Sequence, residues 1–423
     1  MATPALSVWL GGRVVAVLSR HRGDLSLEYL SEEVSQVGTG SIVLSVSMPV
    51  RSKPYVRDAV QFWLEGLLPE GEARTTLEAM HDVRRGDTFG LLEAIGRECA
   101  GAVSFLPEDS NPIEPEIPDS ISLGELAKAI DDLPIHPLGA TEESGISLGG
   151  LQSKLLLCRS DNGWAWPRGG TISTHILKPE PVQHPGLAPA EHYAMRLATE
   201  AGINAAHVEL VKIKGRSVLV IERFDRKTVN GKTQRVHQED SCQALGLDAR
   251  DRKKYQEQSG GPSYGQLAKL LKAHAKNVQE ELRNLAESMV LNVAVGNTDA
   301  HGKNHGFLIE NGTISFAPVY DVSPTVSFVS RRQLALFVGG EHRLDRVSKI
   351  HLALEAQSWG LSKNEAIDVV EDATSRVLTA IVDHRDGEET EAIRNDVLRC
   401  ATRLSTSGTL SVEAQVKSRP SSP

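Results

Sequence analysis

The 423-residue chain is poor in cysteine, carries no excess of basic charge and contains no long hydrophobic run. Its four cysteines lie far apart, and no two have the spacing of a zinc site or a redox motif: Cys99, Cys158, Cys242 and Cys400. We therefore expect reduced thiols, as in a cytoplasmic protein. No apolar run approaches membrane-spanning length, and the N-terminus lacks the basic and apolar regions of a signal peptide. The chain is expected to be cytoplasmic, without membrane contact.

The overall charge is acidic, with a formal net charge of −9 and a pI of about 5.9. Nonspecific nucleic-acid binding needs a basic face, so the composition argues against such binding by this chain alone. A DNA site shared with a basic partner stays open. The hydrophobic content of 40% and the charged content of 24% are ordinary, and they indicate a globular protein with two or three domains.

The first segment, residues 1–106, is expected to be rich in β-structure. Two apolar runs flank Gly11-Gly12, which is typical of a tight hairpin whose turn needs positive φ. A further strand is expected at residues 41–46. The acidic, proline-rich stretch 107–119 cannot support a packed core, and we interpret it as a linker.

The remainder of the chain is predicted to form two lobes and a tail. Residues 120–240 alternate short strands with one helix, whereas residues 241–404 are mostly helical. The tail 405–423 is rich in Ser, Pro and Thr and is expected to be disordered. The expected fold class is therefore α+β.

The most informative motif is polar and follows an apolar, helix-like stretch. Asp299 and Asn304 are five positions apart, and a further carboxylate, Asp321, comes after a short apolar run. Phosphoryl transfer from ATP uses one carboxylate for the hydroxyl proton, with an amide oxygen and a second carboxylate for magnesium. Two nearby histidines, His301 and His305, leave a metal-dependent hydrolase open, although we expect them to order the loop.

Two motifs upstream carry groups that suit phosphates. A loop at residues 147–154 contains paired glycines, which allow backbone N–H groups to approach phosphates, but a simple glycine turn before a strand is favoured when the loop is taken alone. Lys178 ends an apolar strand, and Glu191 opens the following helix; kinases pair such a lysine with phosphates and with a helix glutamate. The alternative is a solvated lysine and a surface glutamate.

Two further positions are weaker candidates. A β-branched run is followed by Glu222 and Phe224. A kinase hinge would hold adenine at such a place through backbone groups. The alternative is a strand followed by a solvated turn, in which Arg223, Asp225 and Arg226 form surface ion pairs of little value. Lys303 is a candidate contact for the γ-phosphate, and its alternative is a solvated loop lysine.

Together these motifs resemble the HipA family of serine/threonine kinases, the toxin half of bacterial toxin–antitoxin pairs. The resemblance extends from about Leu6 to about Leu404 and rests on residues 8–10, 67–73, 174–178, 222–226, 238–240, 299–304 and 320–322. It implies a protein-kinase-like fold with a β-rich N-terminal subdomain, a mixed α/β ATP lobe at residues 120–240 and a helical C-terminal lobe that carries the catalytic loop.

The resemblance also implies a role for each candidate residue. Asp299 would be the catalytic base, and Asn304 and Asp321 would hold Mg²⁺. The remaining candidates would bind ATP: Ser147, Gly149, Gly150, Gln152, Lys154, Lys178 with Glu191, Glu222, Phe224 and Lys303. In this family the serine that starts the glycine-rich loop is autophosphorylated, which ejects the loop and silences the kinase. Ser147 holds that position. This chain also has a serine, Ser153, at a place in the loop where the family usually has a larger or charged residue, so Ser153 is the second candidate.

The family resemblance implies partners as well. A small helix-turn-helix antitoxin, HipB-like, would restrain the kinase, and operator DNA would be reached only through this antitoxin. Family toxins phosphorylate aminoacyl-tRNA synthetases, so such an enzyme is the expected substrate. Two other functions stay open: a non-catalytic corepressor that acts with the antitoxin, and a metal-dependent phosphohydrolase that uses Asp299, His301 and His305.

Overall fold

The computed structural model describes residues 4–408 apart from residues 114, 115, 117, 140–145, 161, 162, 169, 251, 258–260, 331, 385, 386, 388 and 389. Most of the predicted tail, residues 409–423, lies outside the described residues. The last helix continues to Thr406, so the first two residues that we assigned to the tail are helical. No helix within the described ranges is both long and apolar enough to span a membrane.

The N-terminal domain is a five-stranded antiparallel sheet with four helices. Its elements are β1 (Ala5–Leu10), β2 (Arg13–His21), β3 (Asp24–Tyr29), α1 (Ser31–Val37), β4 (Tyr55–Val56), α2 (Asp58–Leu67), α3 (Gly71–Met80), α4 (Thr88–Ile95) and β5 (Val103–Pro107). The strand order is β4-β3-β2-β1-β5. Gly11 and Gly12 connect β1 to β2 with φ values of 59° and 86°. The predicted hairpin is present, because a type I′ turn needs positive φ at both central positions.

The strand expected at residues 41–46 is wrong. This segment is irregular and mostly buried. Ser45 Oγ donates to Oε2 of Glu239 over 2.6 Å, and the N–H of Val46 donates to Oε1 of the same carboxyl group over 2.8 Å. The bond from the Val46 N–H to this distant carboxyl group replaces a hydrogen bond that strand pairing would supply. The apolar residues that suggested a strand are buried in the interior.

A second antiparallel sheet, of six strands, follows. The elements are β6 (Asp119–Ile121), α5 (Leu123–Asp131), β7 (Leu155–Ser160), β8 (Gly163–Trp166), β9 (His175–Pro179), α6 (Leu187–Glu200), β10 (Val208–Ile213) and β11 (Arg216–Glu222), in the sheet order β10-β11-β9-β7-β8-β6. Alternate side chains of β11 face opposite sides of the sheet. Leu219 and Ile221 share a core with α6, whereas Val218 and Val220 share a core with α5.

The C-terminal part is mainly helical. Its elements are β12 (Arg226–Val229), β13 (Lys232–Arg235), β14 (His237–Asp240), α7 (Ser241–Ala244), α8 (Tyr264–His274), α9 (Val278–Val295), β15 (Gly306–Glu310), β16 (Thr313–Phe316), β17 (Gln333–Val338), β18 (Glu341–Arg343), α10 (Lys349–Ser358), α11 (Lys363–Asp383) and α12 (Glu391–Thr406). β14 pairs with β15, so this sheet crosses the boundary that we predicted at residue 240. The bounds of the domains otherwise stay predictions.

A buried group of charges joins the N-terminal domain to the six-stranded sheet. Arg223 Nη2 lies 2.8 Å from Oδ2 of Asp225, and Arg223 Nη1 lies 3.2 Å from Oε1 of Glu98. Arg226 Nη2 lies 3.1 Å from the same Glu98 oxygen, and the N–H of Gly101 donates to Oδ2 of Asp225 over 2.7 Å. The alternative of surface ion pairs is therefore wrong, because these charges lie in the interior, where each charge needs a partner.

Candidate active site

The main polar motif begins where a buried helix ends. α9 terminates at Gly296, whose φ of 78° lies in the left-handed region that favours glycine. A Cβ at Gly296 would lie 2.6 Å from Cγ2 of Val326, so the packing also requires glycine. The Asn297 side chain accepts a hydrogen bond from the N–H of Asp299 over 3.0 Å and donates to Oδ1 of Asn292 over 2.7 Å. These bonds anchor the loop to the end of α9 and fix the position of Asp299.

Asp299 has one expected neighbour and one that we did not expect. The amide nitrogen of Asn304 donates to the carbonyl oxygen of Asp299 over 3.2 Å, so the two residues of the motif lie side by side. The hydroxyl of Tyr255 donates to Oδ1 of the Asp299 carboxylate over 2.7 Å. The Tyr255 ring also meets the ring of His301 edge-on, with 5.4 Å between centroids. No sequence pattern indicated Tyr255, because it lies 44 positions from Asp299 in the chain.

Lys178 brings together two carboxylates from different parts of the chain. Its Nζ lies 2.8 Å from Oε1 of Glu191 in α6 and 2.6 Å from Oδ1 of Asp321. Lys178 is 8% exposed and Glu191 is 3% exposed, so the alternative of a solvated lysine with a surface glutamate is wrong. Asp321 has a φ of 57°, a left-handed conformation that is uncommon outside glycine and that concentrates at functional sites.

The electrostatics of this triad favour a charged lysine beside a charged Asp321. Burial lowers the pKa of Lys178, but the two carboxylates outweigh burial and hold that pKa above its ordinary value. Burial raises the pKa of Asp321, but Lys178 outweighs burial and brings that pKa down to about 2. For Glu191 burial dominates, so its pKa stays raised although Lys178 opposes the shift.

The two histidines of the loop are buried and neutral. Burial is the main cause that lowers the pKa of His301 to about 3 and that of His305 to about 4. His305 packs against the ring of Tyr264, with 5.5 Å between centroids. Among the described residues, no three His, Cys, Asp or Glu side chains are grouped as metal ligands. Both rings thus pack within the site, whereas the sequence led us to expect that they order the loop through hydrogen bonds.

The glycine-rich loop is folded against the N-terminal domain. Ser147 is fully buried, and its hydroxyl donates to the carbonyl oxygen of Leu67 over 2.7 Å, whereas Ser153 is exposed. A Cβ on Gly149 would lie 2.9 Å from the carbonyl oxygen of Gly66, so glycine is needed for this close approach. These two contacts hold the start of the loop beside the end of α2.

The end of the loop carries a buried lysine. Lys154 Nζ donates to the carbonyl oxygen of Gly149 over 3.0 Å, and the φ of Gly150 is 106°. Burial, together with repulsion from Lys178, lowers the pKa of Lys154 to about 8. Gln152 is half-buried on the same loop. The Asp321 carboxylate partly offsets this lowering of the Lys154 pKa. The loop therefore brings one cation close to the Lys178 triad.

Glu70 is a site residue that sequence reasoning missed. Its Oε1 lies 2.6 Å from Nζ of Lys303, and its Oε2 lies 3.5 Å from Nζ of Lys254. Lys303 is therefore not the solvated loop lysine of the alternative interpretation. Residues 67–73 contribute to the sequence interpretation only through the N-terminal resemblance, and nothing in their local pattern indicates a contact with Lys303, 233 positions beyond Glu70.

The two candidates for adenine contact lie in different surroundings. Phe224 packs near the ring of Tyr320, with 5.4 Å between centroids, and Tyr320 directly precedes Asp321. The Glu222 side chain is 61% exposed, and the N–H of Glu222 donates to the carbonyl oxygen of His207 over 2.9 Å. An adenine contact through that N–H would require this bond to break. Phe224, by contrast, packs beside Tyr320, the residue next to Asp321 of the triad.

Comparisons with known proteins agree with this arrangement. Residues 6–106 match the model of the HipA N-terminal domain, and residues 146–381 match that of the HipA-like C-terminal domain. The chain is 34% identical over 376 residues to the Sinorhizobium fredii protein named "Putative kinase Y4mE", with 86% of each chain covered. It is 31% identical over 338 residues to the Shewanella oneidensis serine/threonine-protein kinase toxin HipA, with 77% of each chain covered.

A solved structure extends the likeness to three dimensions. The HipA chain in the complex of Shewanella oneidensis MR-1 HipA, HipB and operator DNA is 27% identical, with a TM-score of 0.81. The match covers 94% of this chain and 97% of that one. The expected α+β fold, with a β-rich N-terminal subdomain, a mixed α/β part and a helical part, is confirmed. The chain belongs to the HipA family.

Proposed function

We propose that this protein is an ATP- and Mg²⁺-dependent serine/threonine protein kinase that acts as the toxin of a toxin–antitoxin pair. The observation that carries the proposal is the Lys178–Glu191–Asp321 triad together with the loop of Asp299 and Asn304. The two are linked because the hydroxyl of Tyr320, which precedes Asp321, donates to the carbonyl oxygen of Lys303 in that loop. In protein kinases, a strand lysine paired with a helix glutamate and an aspartate that holds metal must both be in place for phosphoryl transfer. Here one buried lysine contacts both carboxylates.

The residues divide the reaction among them. Asp299 takes the proton of the acceptor hydroxyl, whose oxygen attacks the γ-phosphorus of ATP while the bond to the β,γ-bridging oxygen breaks and ADP leaves. Asn304 and Asp321 offer amide and carboxylate oxygens, the ligands that Mg²⁺ prefers, so the donor set fits this ion. When bound, Mg²⁺ would be held by Asn304 and Asp321 and would offset the negative charge of the phosphates. Lys178 contacts the phosphates.

Other groups hold the nucleotide. The loop from Ser147 to Lys154 covers the phosphates with Gly149, Gly150 and Gln152, and its lysine adds positive charge. Lys303 contacts the γ-phosphate from the opposite side. Glu222 and Phe224 lie at the adenine. Support comes from the buried cations already grouped around Asp321, which suit a ligand with several negative charges.

Self-phosphorylation of Ser147 would silence this kinase, and the burial of Ser147 explains why. Its hydroxyl is enclosed and bonded to Leu67, so the loop has to leave this position before the serine can be phosphorylated. A phosphate there would add nearly two negative charges, which the enclosed place cannot solvate. The loop would then stay out. Ser153 is exposed and stays the second candidate.

The partners follow from the relatives. One relative is named a serine/threonine-protein kinase toxin, and the solved relative is in complex with HipB and operator DNA. We propose a HipB-like helix-turn-helix antitoxin for this chain, with operator DNA reached only through it, which suits the net charge of −9. The proposed substrate is a translation component such as an aminoacyl-tRNA synthetase.

Transfer of label from γ-labelled ATP tests the proposal. Wild type, Asp299→Ala and Asp321→Ala are compared with the control Asp109→Ala, which removes an exposed carboxylate outside the site. We expect label transfer by wild type and by the control only, and its loss when EDTA removes Mg²⁺. Equal transfer by all variants would refute the assigned roles. Repression with the antitoxin but without any transfer would favour the corepressor, and metal-dependent phosphate release without ATP would favour the phosphohydrolase.

A further inference from the structure

Glu70 belongs to the N-terminal domain, yet its side chain lies among residues of the catalytic site. It directly precedes α3, and its carboxylate contacts Lys303 over 2.6 Å and Lys254 over 3.5 Å. All three side chains are largely buried, with exposures of 21% for Glu70, 10% for Lys303 and 8% for Lys254. Two ammonium groups with so little water need a nearby anion, so the position of Glu70 is tied to theirs.

Both lysines lie directly beside residues that the proposed reaction uses. Lys303 precedes Asn304 in the chain, and the hydroxyl of Tyr320 donates to the carbonyl oxygen of Lys303 over 2.7 Å. The carbonyl oxygen of Lys254 accepts a hydrogen bond from the N–H of Gly302 over 3.0 Å. A displacement of either lysine would therefore move the backbone of the catalytic loop.

The same segment of the N-terminal domain also holds the glycine-rich loop. Pro69 forms a β-bridge with Gly150, and the N–H of Glu70 lies 3.4 Å from the carbonyl oxygen of Gly150. The backbone of Glu70 thus contacts the loop expected above the phosphates, whereas its side chain contacts the loop expected below them. This single residue therefore contacts both loops.

We propose that Glu70 is a positioning residue of the phosphotransfer site, through which the N-terminal domain fixes Lys303, Lys254 and the glycine-rich loop relative to one another. This inference rests on the proposed function and deepens it. Glu70 acts through the lysines and does not touch ATP, since a carboxylate would repel the phosphates. The N-terminal domain would then contribute to the rate of the reaction as well as to the stability of the fold.

A matched control exists in α3, the helix that follows Glu70. Glu78 of α3 is 3% exposed, and its Oε1 lies 2.8 Å from Nε of Arg74. The change Glu78→Gln removes the charge of a buried ion pair within the N-terminal domain, without a contact to either loop. Glu70→Gln removes a comparable charge at the site. Differences between the two variants therefore report on position and not on the loss of a buried ion pair.

The test uses the full-length chain and two independent measurements. Amide hydrogen exchange is followed in peptides that cover residues 147–154 and 299–305. Label transfer from Mg·ATP to dephosphorylated casein and binding of Mg·AMP-PNP are measured in parallel. We expect Glu70→Gln to speed exchange in both peptides and to lower kcat about tenfold or more, because small displacements of reacting groups are costly in rate. Nucleotide binding should change less than threefold.

Glu78→Gln should leave the exchange of both peptides unchanged, even where it lowers the melting temperature. Unchanged exchange in Glu70→Gln would overturn the proposal, as would equal losses of kcat in the two variants. Tighter nucleotide binding with unchanged kcat would also overturn it, because Glu70 would then compete with phosphate. If wild type transfers no more label than Asp299→Ala, the proposed function fails, and the exchange measurement alone decides the role of Glu70.

Discussion

The hydroxyl of Tyr255 donates a hydrogen bond to Oδ1 of Asp299 over 2.7 Å. A general base needs its proton donor within about 2.6–3.2 Å, so under the proposed function Tyr255 occupies the place of the acceptor hydroxyl. Its neighbour Gln256 is fixed as well, since its N–H donates to the carbonyl oxygen of Ala335 over 2.9 Å. A protein substrate therefore has to displace a tyrosine whose hydroxyl is bonded to Asp299 and whose neighbour in the chain is fixed.

The variant Tyr255→Phe should bind a protein acceptor more readily. The ring can remain against His301, while the hydrogen bond to the carboxylate is lost. A hydrogen bond to a charged group contributes about 1.5 kcal/mol or more, so we expect the KM for dephosphorylated casein to fall roughly tenfold. The KM for ATP should not change. Steady-state label transfer measures both constants; a slower reaction with an unchanged KM for casein would show that Tyr255 instead orients Asp299.

The variant Glu191→Gln should raise the Mg²⁺ concentration that transfer requires. Without the glutamate charge, Lys178 has only Asp321 as an anionic partner, and the metal has to compete with the lysine for that carboxylate. We expect kcat to fall about tenfold at low Mg²⁺, a loss equivalent to roughly 1.4 kcal/mol, with partial recovery at high Mg²⁺. Glu200→Gln, at the other end of α6, serves as the control. Equal Mg²⁺ dependence in both variants would contradict the prediction.

Autophosphorylation should make Lys154 accessible to trypsin. Lys154 is 5% exposed while the glycine-rich loop is folded against the N-terminal domain. Incubation of wild type with Mg·ATP should produce cleavage after Lys154, because a phosphate on Ser147 keeps the loop out. Ser147→Ala should stay resistant, and Ser153→Ala should behave like wild type. The reverse result for the two serines, read by mass spectrometry of the fragments, would assign the modification to Ser153.

The buried charge group should make the protein labile in acid. Burial raises the pKa of Asp225, but Arg223 and Arg226 outweigh burial and hold that pKa well below its ordinary value. The pKa of Glu98 is lowered in the same way, because the same two arginines outweigh burial. The folded pKa of each group is below its unfolded value, so their contribution to stability is present above about pH 4 and is lost as the pH falls towards the folded values.

The variant Asp225→Asn should therefore lose about 3 kcal/mol of unfolding free energy at pH 7, because Arg223 is left with an incomplete set of partners in the interior. The difference from wild type should shrink as the pH falls below about 4. Urea denaturation at several pH values measures both effects. A difference that stays constant with pH would mean that the Asp225 charge does not carry the stabilisation.

The motifs that could be predicted from the sequence are local ones. The spacing of Asp299 and Asn304 reflects one short turn after α9, and Gly11-Gly12 encodes its own turn through positive φ. Lys178 and Glu191 lie 13 positions apart, on a strand and on the next helix, so their pairing could also be anticipated. Such contacts depend on the period of one element or on one connection between neighbours.

The contacts that the sequence did not reveal join distant segments. Glu70 and Tyr255 reach the site only after the whole chain has folded, and a single sequence contains no sign of which distant charge or hydroxyl will be adjacent. The wrong strand at residues 41–46 has the same origin, because its backbone is bonded to Glu239. Burial alone gives an apolar segment the composition of a strand.

The two hydrogen bonds from Ser45 and Val46 to Glu239 have a consequence for the architecture as a whole. They fasten the N-terminal domain to β14, the strand that leads through α7 towards the catalytic loop. A fragment without the N-terminal domain would keep the Glu239 carboxyl group but lose both groups that donate hydrogen bonds to it. The N-terminal domain and the rest of the chain are therefore parts of one cooperative unit, and we expect heat to unfold them in a single transition.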